Sequence, residues 1–172
     1  MPTKPVKVYL HHRYGDVETL PCEPCGKLGK RRLFRLLAIP FFFTKPTFGD
    51  VIAAARDAEL DGHWAWEPSH PLTTRDRDLH EDGGRYAMIF DYRPSGKRAR
   101  PRPVTGETSW FPRELDIVSS RAIEPTRRTP GRVYLAVPSK LPPARVMALV
   151  RKRHPEFSFR QVHPRPKTAV RR

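Results

Sequence analysis

The two cysteines come closest to a recognised chemical motif. Cys22 and Cys25 are separated by two residues, a spacing at which two thiolates can bind zinc or form a redox pair. A tetrahedral zinc site needs two further ligands, and the sequence has no second cysteine pair. His11 and His12 are nearby, but adjacent residues on a strand point to opposite faces. We therefore expect no metal, no cofactor and two reduced thiols.

Asp50 is a second candidate, because a carboxylate near His63 or His70 would be able to exchange protons with a substrate. The alternative is structural: glycine and aspartate are frequent at turns, where glycine supplies an unusual φ and aspartate bonds to the backbone. The sequence favours the turn. The sequence also lacks a Walker loop and a nucleophile elbow, so no motif in it supports a catalytic function.

The distribution of charge is more informative than any catalytic motif. The chain has 172 residues and a net charge of +15. Residues 50–82 hold nine acidic side chains and three arginines, whereas residues 85–172 hold 21 basic and six acidic side chains. The residues predicted to contact nucleic acid are Lys27, Lys30, Arg31, Arg32, Arg98, Arg100, Arg102, Arg151, Lys152 and Arg153. Basic loops contact phosphate without reading base sequence. The alternative is an arginine-rich composition and a solvated basic surface.

Two tryptophans allow a different kind of contact. Trp64 and Trp66 alternate with His63, so a strand would place both indoles on one face and His63 on the other. Exposed, the indoles would form a platform for stacked bases. Buried, they would belong to a hydrophobic core, and the sequence favours the core because acidic residues crowd this segment.

Hydrophobic periodicity predicts mostly strands and one clear helix. The predicted strands are residues 6–10, 17–20, 33–43, 63–67, 85–92, 132–137 and 157–162. Residues 48–58 fit either a helix, by the propensity of the alanine-rich segment, or a strand that forms a hairpin with residues 63–67, and the sequence favours the strand. A helix is predicted from Pro142 or Pro143 to His154, a short helix near residue 110, and loops at residues 26–32 and 93–108. The predicted fold is α+β, with an N-terminal antiparallel β lobe (a small barrel-like sheet, residues 1–75) packed with a C-terminal ferredoxin-like βαβ lobe (residues 85–163). A basic tail follows at residues 164–172.

The sequence gives no indication of membrane association. The charged N-terminus has no apolar segment after it, and no apolar run approaches the ~18 residues of a membrane span. We therefore expect a cytoplasmic protein that does not contact a membrane.

A local pattern resembles a known family. Residues 36–51 contain Leu-x-x-Ile-Pro-Phe-Phe followed by Phe-Gly-Asp-Val. This resembles the bacterial family called domain of unknown function 4265, in which a strand ends near Asn-Ile-Pro-Phe and a Tyr-Gly-Asp-Val turn follows. Ala38 replaces the usual asparagine, and residues 134–138 and 157–159 resemble the C-terminal end of the family. The resemblance implies a bacterial protein and an architecture, but no activity, because the family is uncharacterised.

Three hypotheses about function follow. The first is a non-catalytic bacterial protein that binds nucleic acid or an acidic protein partner through its basic surface. The alternative is an immunity- or antitoxin-like protein that neutralises a toxin through residues 50–82. The third is an unrecognised enzyme with a site near Asp50 and His70.

Overall fold

A computed structural model of the chain describes residues 4–11, 16–43, 45–68, 78–93 and 111–163. Within these residues the protein is mostly strand, with nine strands and one α-helix. The chain divides into two compact units, Met1–Arg85 and Tyr86–Arg172. The α+β class predicted from the sequence is confirmed at this level.

The first unit contains a closed barrel of five strands. They are β1 (Val6–His11), β2 (Val17–Leu28), β3 (Arg31–Leu36), β4 (Val51–Asp57) and β5 (His63–Trp66). Consecutive strands pair antiparallel, so β5 runs in the direction of β1 and closes the barrel with a parallel pair. The predicted antiparallel lobe is therefore antiparallel everywhere except at this closure, because a barrel of five consecutive antiparallel strands needs one parallel pair.

Alternate side chains of the five strands fill the barrel. The buried residues of this core are Val8, Leu10, Leu20, Cys22, Phe34, Leu36, Ala38, Ile52, Ala54 and Trp66. Because side chains alternate along each strand, the outer face of the barrel carries the intervening residues.

Two of the predicted boundaries in this unit are wrong. The strand predicted at residues 33–43 ends at Leu36, and the chain then bends. Pro40 has no N–H for a ladder, and the buried carboxylate of Glu18 accepts the N–H of Phe41 at 2.8 Å. The loop predicted at residues 26–32 is instead a hairpin, in which Leu28 pairs with Arg31. Its two-residue turn begins with Gly29 at φ 58°, a conformation that glycine adopts without strain.

The second unit is a four-stranded sheet with one helix. The strands β6 (Arg85–Tyr92), β7 (Val118–Ile123), β8 (Gly131–Pro138) and β9 (Phe157–His163) are arranged in the order β7-β8-β6-β9. The helix α1 (Pro143–Arg153) connects β8 to β9 and has Pro143 in its first turn. Val146 and Val150 of α1 are buried with apolar residues from β6, β8 and β9. The predicted strands at residues 85–92, 132–137 and 157–162 and the predicted helix are confirmed.

Other predictions in this half of the chain are confirmed or untested. A 3-10 helix, Arg113–Leu115, lies in the region where a short helix was expected. The predicted loop at residues 93–108 lies outside the described residues except for Arg93, and the tail at residues 164–172 lies wholly outside them. In the part of the chain that the structure describes, no helix has the length and apolar character needed to cross a membrane.

Candidate nucleic-acid interface

The tip of the β2–β3 hairpin brings together four of the predicted contact residues. Lys27 and Arg32 are opposite each other in the ladder, and Lys30 and Arg31 belong to or follow the turn. Lys27, Lys30 and Arg31 are exposed, whereas Arg32 is half-buried. Among the described residues, no acidic side chain forms an ion pair with any of the four. Their positive charge is therefore available to a ligand.

Two arginines flank a pair of aromatic rings beside this hairpin. The Arg32 guanidinium lies 6.0 Å from the centre of the Phe34 ring, and Phe34 lies 5.4 Å from the ring of Trp64. Arg56 then covers Trp64, with its guanidinium carbon 4.2 Å from the ring centre. We call these four residues the arginine–aromatic ladder. It holds two cations by cation–π attraction at one end of the barrel.

The two tryptophans contribute to the core and do not form an open platform. Trp66 is buried, and Trp64 is half-buried against the barrel core. His63 is exposed and its ring lies 5.4 Å from that of Tyr9, on the outer face of the barrel. The predicted alternation of the two indoles with His63 is confirmed, and the more favoured interpretation of Trp66 as a core residue is correct.

A cavity of about 280 Å³ lies over β4 and β5. Its floor includes Ala53, Ala55 and Ala65, and Ala55 is paired directly with Ala65 across the two strands. Because side chains alternate along a strand, these alanines point away from Ala54, which faces the core. Arg31, Arg56, Asp57 and Glu67 also line the cavity. The Arg56 side chain points to the same face of β4 as Ala54, and its guanidinium lies over Trp64.

His11 connects the two carboxylates of the cavity. Its Nε2 lies 3.3 Å from Asp57 Oδ2, and its Nδ1 lies 3.7 Å from Glu67 Oε1. The contact with Asp57 lacks hydrogen-bond geometry, so among the described residues Nε2 has no hydrogen-bond partner. The cavity therefore presents the cationic group of Arg31 from β3 and two acceptor groups near His11.

The Cys22 and Cys25 thiols lie in different environments. Cys22 faces the barrel core, where its Sγ is 3.7 Å from the Leu20 carbonyl oxygen and burial raises its pKa to about 12. Cys25 is exposed at the irregularity between Pro24 and Gly26, where the β2–β3 register shifts. Partial burial also raises the pKa of Cys25, against the opposing charge of Arg35. In the described ranges, no three histidine, cysteine or acidic residues are grouped to hold a metal.

Asp50 is completely buried and is engaged by the backbone. Its Oδ2 accepts the Thr47 N–H at 2.7 Å, and its Oδ1 accepts the Gly83 N–H at 2.7 Å. Lys45 Nζ lies 3.6 Å from the same carboxylate. The geometry therefore supports the structural role that the sequence favoured for Asp50.

Asp50 and His63 do not share a site. Asp50 precedes β4, whereas His63 is paired with Asp57 at the opposite end of β4. The seven residues of β4 separate them by roughly 20 Å at about 3.3 Å per residue. His70, the other predicted partner, lies outside the described residues.

The remaining predicted contact residues belong to the second unit. Arg151, Lys152 and Arg153 form the exposed last turn of α1. Arg98, Arg100 and Arg102 lie outside the described residues. Arg56 and the cavity were not among the predicted sites. The alternation of small residues at positions 53, 55 and 65 was the only trace of the cavity in the sequence.

Comparison with known proteins adds no function. No family model matches the chain, and no curated protein matches it. Among solved structures, a hypothetical protein from Neisseria gonorrhoeae is similar at 11% identity, with a TM-score of 0.47 over 95% of this chain and 94% of that chain. The candidate function therefore rests on the geometry of this chain alone.

Proposed function

We propose that the protein is a non-catalytic nucleic-acid-binding protein that contacts phosphate through the tip of the β2–β3 hairpin. The observation that carries the proposal is the exposed set of Lys27, Lys30 and Arg31, which have no acidic partner among the described residues. The ladder of hydrogen bonds on both sides of the tip fixes the backbone, so little conformational entropy is lost when phosphate binds. Phosphate contacts of this kind supply affinity without base specificity.

Acidic protein surfaces are the other ligand that such a hairpin fits. Nucleic acid is the better candidate because Arg32 and Arg56 stack on aromatic rings beside the hairpin. Stacked guanidinium planes offer a surface on which bases can stack as well as charge for phosphates.

The immunity- or antitoxin-like hypothesis is supported by a different feature. Glu59 and Asp61 are exposed in the turn between β4 and β5, and Asp57 precedes them. A basic toxin surface would be complementary to this acidic turn. A gene for a basic toxin beside the gene for this protein is the observation that would favour this second candidate.

We further infer that the second unit has a ferredoxin-like topology. The order β7-β8-β6-β9, with β6 and β8 at the centre and α1 between β8 and β9, supports this assignment.

The proposed relationship to domain of unknown function 4265 is supported by the motif at residues 36–51. Its two halves are joined by the Leu36 N–H, which donates to the Asp50 carbonyl oxygen at 2.9 Å. In this proposal the protein works in a bacterial cytoplasm, where both free thiols stay reduced.

Binding of the full chain to random-sequence DNA and RNA across a salt series tests the proposed function. If phosphate contacts carry the binding, the affinity falls steeply as the salt concentration rises. An affinity that does not change with salt, or no binding at low salt, would exclude the nucleic-acid hypothesis.

A further inference from the structure

We propose that the cavity over β4 and β5 accepts one unpaired nucleobase, so that the preferred ligand is single-stranded nucleic acid. This inference rests on the proposed function and specifies which class of nucleic acid binds. It is carried by the position of the cavity, its alanine floor and the charged groups around it.

The cavity matches one base in size and in the character of its floor. At about 280 Å³, it is slightly smaller than the ~300–1,000 Å³ typical of pockets for drug-sized ligands. The methyl groups of Ala53, Ala55 and Ala65 form an apolar floor without projecting side chains. A planar base can lie flat on such a floor.

Arg31 links this cavity to the phosphate site. It is exposed at the hairpin tip and also lines the cavity. A strand whose phosphate contacts Lys30 and Arg31 therefore has its neighbouring base at the entrance. Arg56 also borders the cavity, but its guanidinium lies over Trp64 and donates to the Gly62 carbonyl oxygen, so Arg31 supplies the positive charge at the entrance.

The two carboxylates indicate which bases fit best. Asp57 and Glu67 both approach His11, at 3.3 Å and 3.7 Å, so their oxygens lie in the same part of the cavity. A carboxylate accepts hydrogen bonds, as it does from the exocyclic amino group of cytosine. Bases with an amino group are therefore expected to bind better than thymine or uracil.

Single strands are preferred because the edge and both faces of an unpaired base are accessible. In a duplex the same edge is paired and the faces are stacked, so a base enters a pocket only after it has been unpaired and turned out of the helix. The hairpin can contact duplex phosphates, but the cavity then contributes nothing.

The Ala55→Leu variant tests the cavity without changing charge. Ala55 is exposed on the outer face of β4, so a leucine there fills the cavity and leaves the barrel core intact. The expected result is an affinity for oligo(dC) that falls about tenfold, the loss expected for removal of one base contact. Binding to a random duplex stays at the wild-type value. The matched control is Ala148→Leu, the same substitution at an exposed position of α1.

A second variant tests the recognition of amino-bearing bases. Glu67 is exposed at the cavity, and Glu67→Gln keeps its size while it replaces one acceptor oxygen by a donor. We expect wild type to bind oligo(dC) more tightly than oligo(dT), and Glu67→Gln to reduce that difference. Equal affinities of wild type for the two oligonucleotides would overturn the assignment of the carboxylates.

The outcomes separate this inference from the proposed function. If Ala55→Leu binds oligo(dC) as wild type does, or if wild type prefers duplex, the cavity proposal is overturned while the hairpin proposal stands. If wild type binds neither single strands nor duplex, the proposed function fails, and the inference fails with it.

Discussion

Asp50 shows how one buried carboxylate can define two turns at once. It accepts N–H groups from Thr47 and Gly83, which lie in segments more than thirty residues apart. Lys45 lies 3.6 Å from Asp50 and 3.1 Å from Asp82, so a single ammonium group faces both acids. Hydrogen bonding within the barrel unit thus explains the Gly49-Asp50 pair of the motif at residues 36–51.

The ionisation of Asp50 predicts how the free energy of unfolding depends on pH. Burial raises its pKa above the ordinary 3.8, although the Gly83 and Thr47 N–H groups and Lys45 favour the charged form. The folded protein therefore holds this proton more tightly than the unfolded chain. Its contribution to the free energy of unfolding is full below pH 3.8 and decreases as the pH rises through the raised pKa.

The Asp50→Asn variant, which cannot titrate, reveals this contribution in denaturant unfolding. We expect a cost of about 1–3 kcal/mol, because one buried N–H loses its acceptor. The difference in unfolding free energy between wild type and variant should be smaller near pH 7 than near pH 4. A difference that grows as the pH rises would contradict the raised pKa.

Gly83 makes a second prediction at the residue scale. A Cβ at this position would lie 2.7 Å from the Gly49 carbonyl oxygen and 2.8 Å from the Asp50 nitrogen, both of which are backbone atoms that cannot rotate away. Gly83→Ala should therefore lower the free energy of unfolding by about 1–3 kcal/mol, the usual cost of overpacking.

The control for Gly83 is Gly26→Ala. There the nearest atom is Leu33 Cδ1 at 3.3 Å, the end of a flexible side chain. Its cost in thermal or denaturant unfolding should be clearly smaller. Equal costs for the two variants would show that the close approach of the two turns is not rigid.

At the scale of elements, β2 places the two cysteines on opposite faces and bends beside Cys25. Cys22 and Cys25 are three positions apart, so strand alternation directs Cys22 to the core and Cys25 outwards, and the β2–β3 register shifts between Pro24 and Gly26. The same bend leads β2 into the exposed hairpin that carries Lys27. The spacing that resembles half of a zinc site therefore belongs to a bulge at the corner of a barrel.

Thiol modification tests this arrangement. Iodoacetamide should modify Cys25 in the folded protein and reach Cys22 only after unfolding, because Cys22 is buried and its pKa is about 12. The rate at Cys25 should increase with pH, since its pKa is also raised. Mass spectrometry of the modified peptides gives the result, with Cys25→Ser as the control. Modification of folded Cys22 as fast as Cys25 would disprove the assignment.

Elements with strong local patterns were predictable from the sequence. A nearly continuous apolar run defined β6, alternation defined β9, and proline together with the basic last turn defined α1. The end of β3 was not predictable, because it depends on Glu18, which is 23 residues from Phe41 in the chain. The hairpin was predicted as a loop because its glycine and basic residues show no alternation of apolar and polar side chains from which a strand register could be read. The cavity was missed because only strand pairing places Ala55 beside Ala65.

At the scale of the whole molecule, the net charge of +15 can be assigned to structural elements only for the described residues. In the described residues, basic side chains are concentrated at the β2–β3 hairpin of the first unit and at the last turn of α1 in the second. Other basic residues form ion pairs: Arg132 and Arg160 both contact Asp91, at 3.3 Å and 2.9 Å. The exposed Arg151 and Lys152 of α1 also form no ion pair with a described residue, so the hairpin is distinguished from them by the arginine–aromatic ladder beside it.

The salt dependence of binding tests the central claim most directly, because its slope counts phosphate contacts. It should be measured with a random single-stranded oligonucleotide for wild type and for Lys27→Gln/Lys30→Gln/Arg31→Gln. The control, Arg113→Gln/Arg127→Gln/Arg128→Gln, removes the same charge at exposed positions of the second unit. The hairpin variant should lose about 2 from the slope of log Kobs against log salt, at about 0.7 per phosphate contact on a single strand. The control should keep the wild-type slope, and equal slopes for all three proteins would contradict the role of the hairpin.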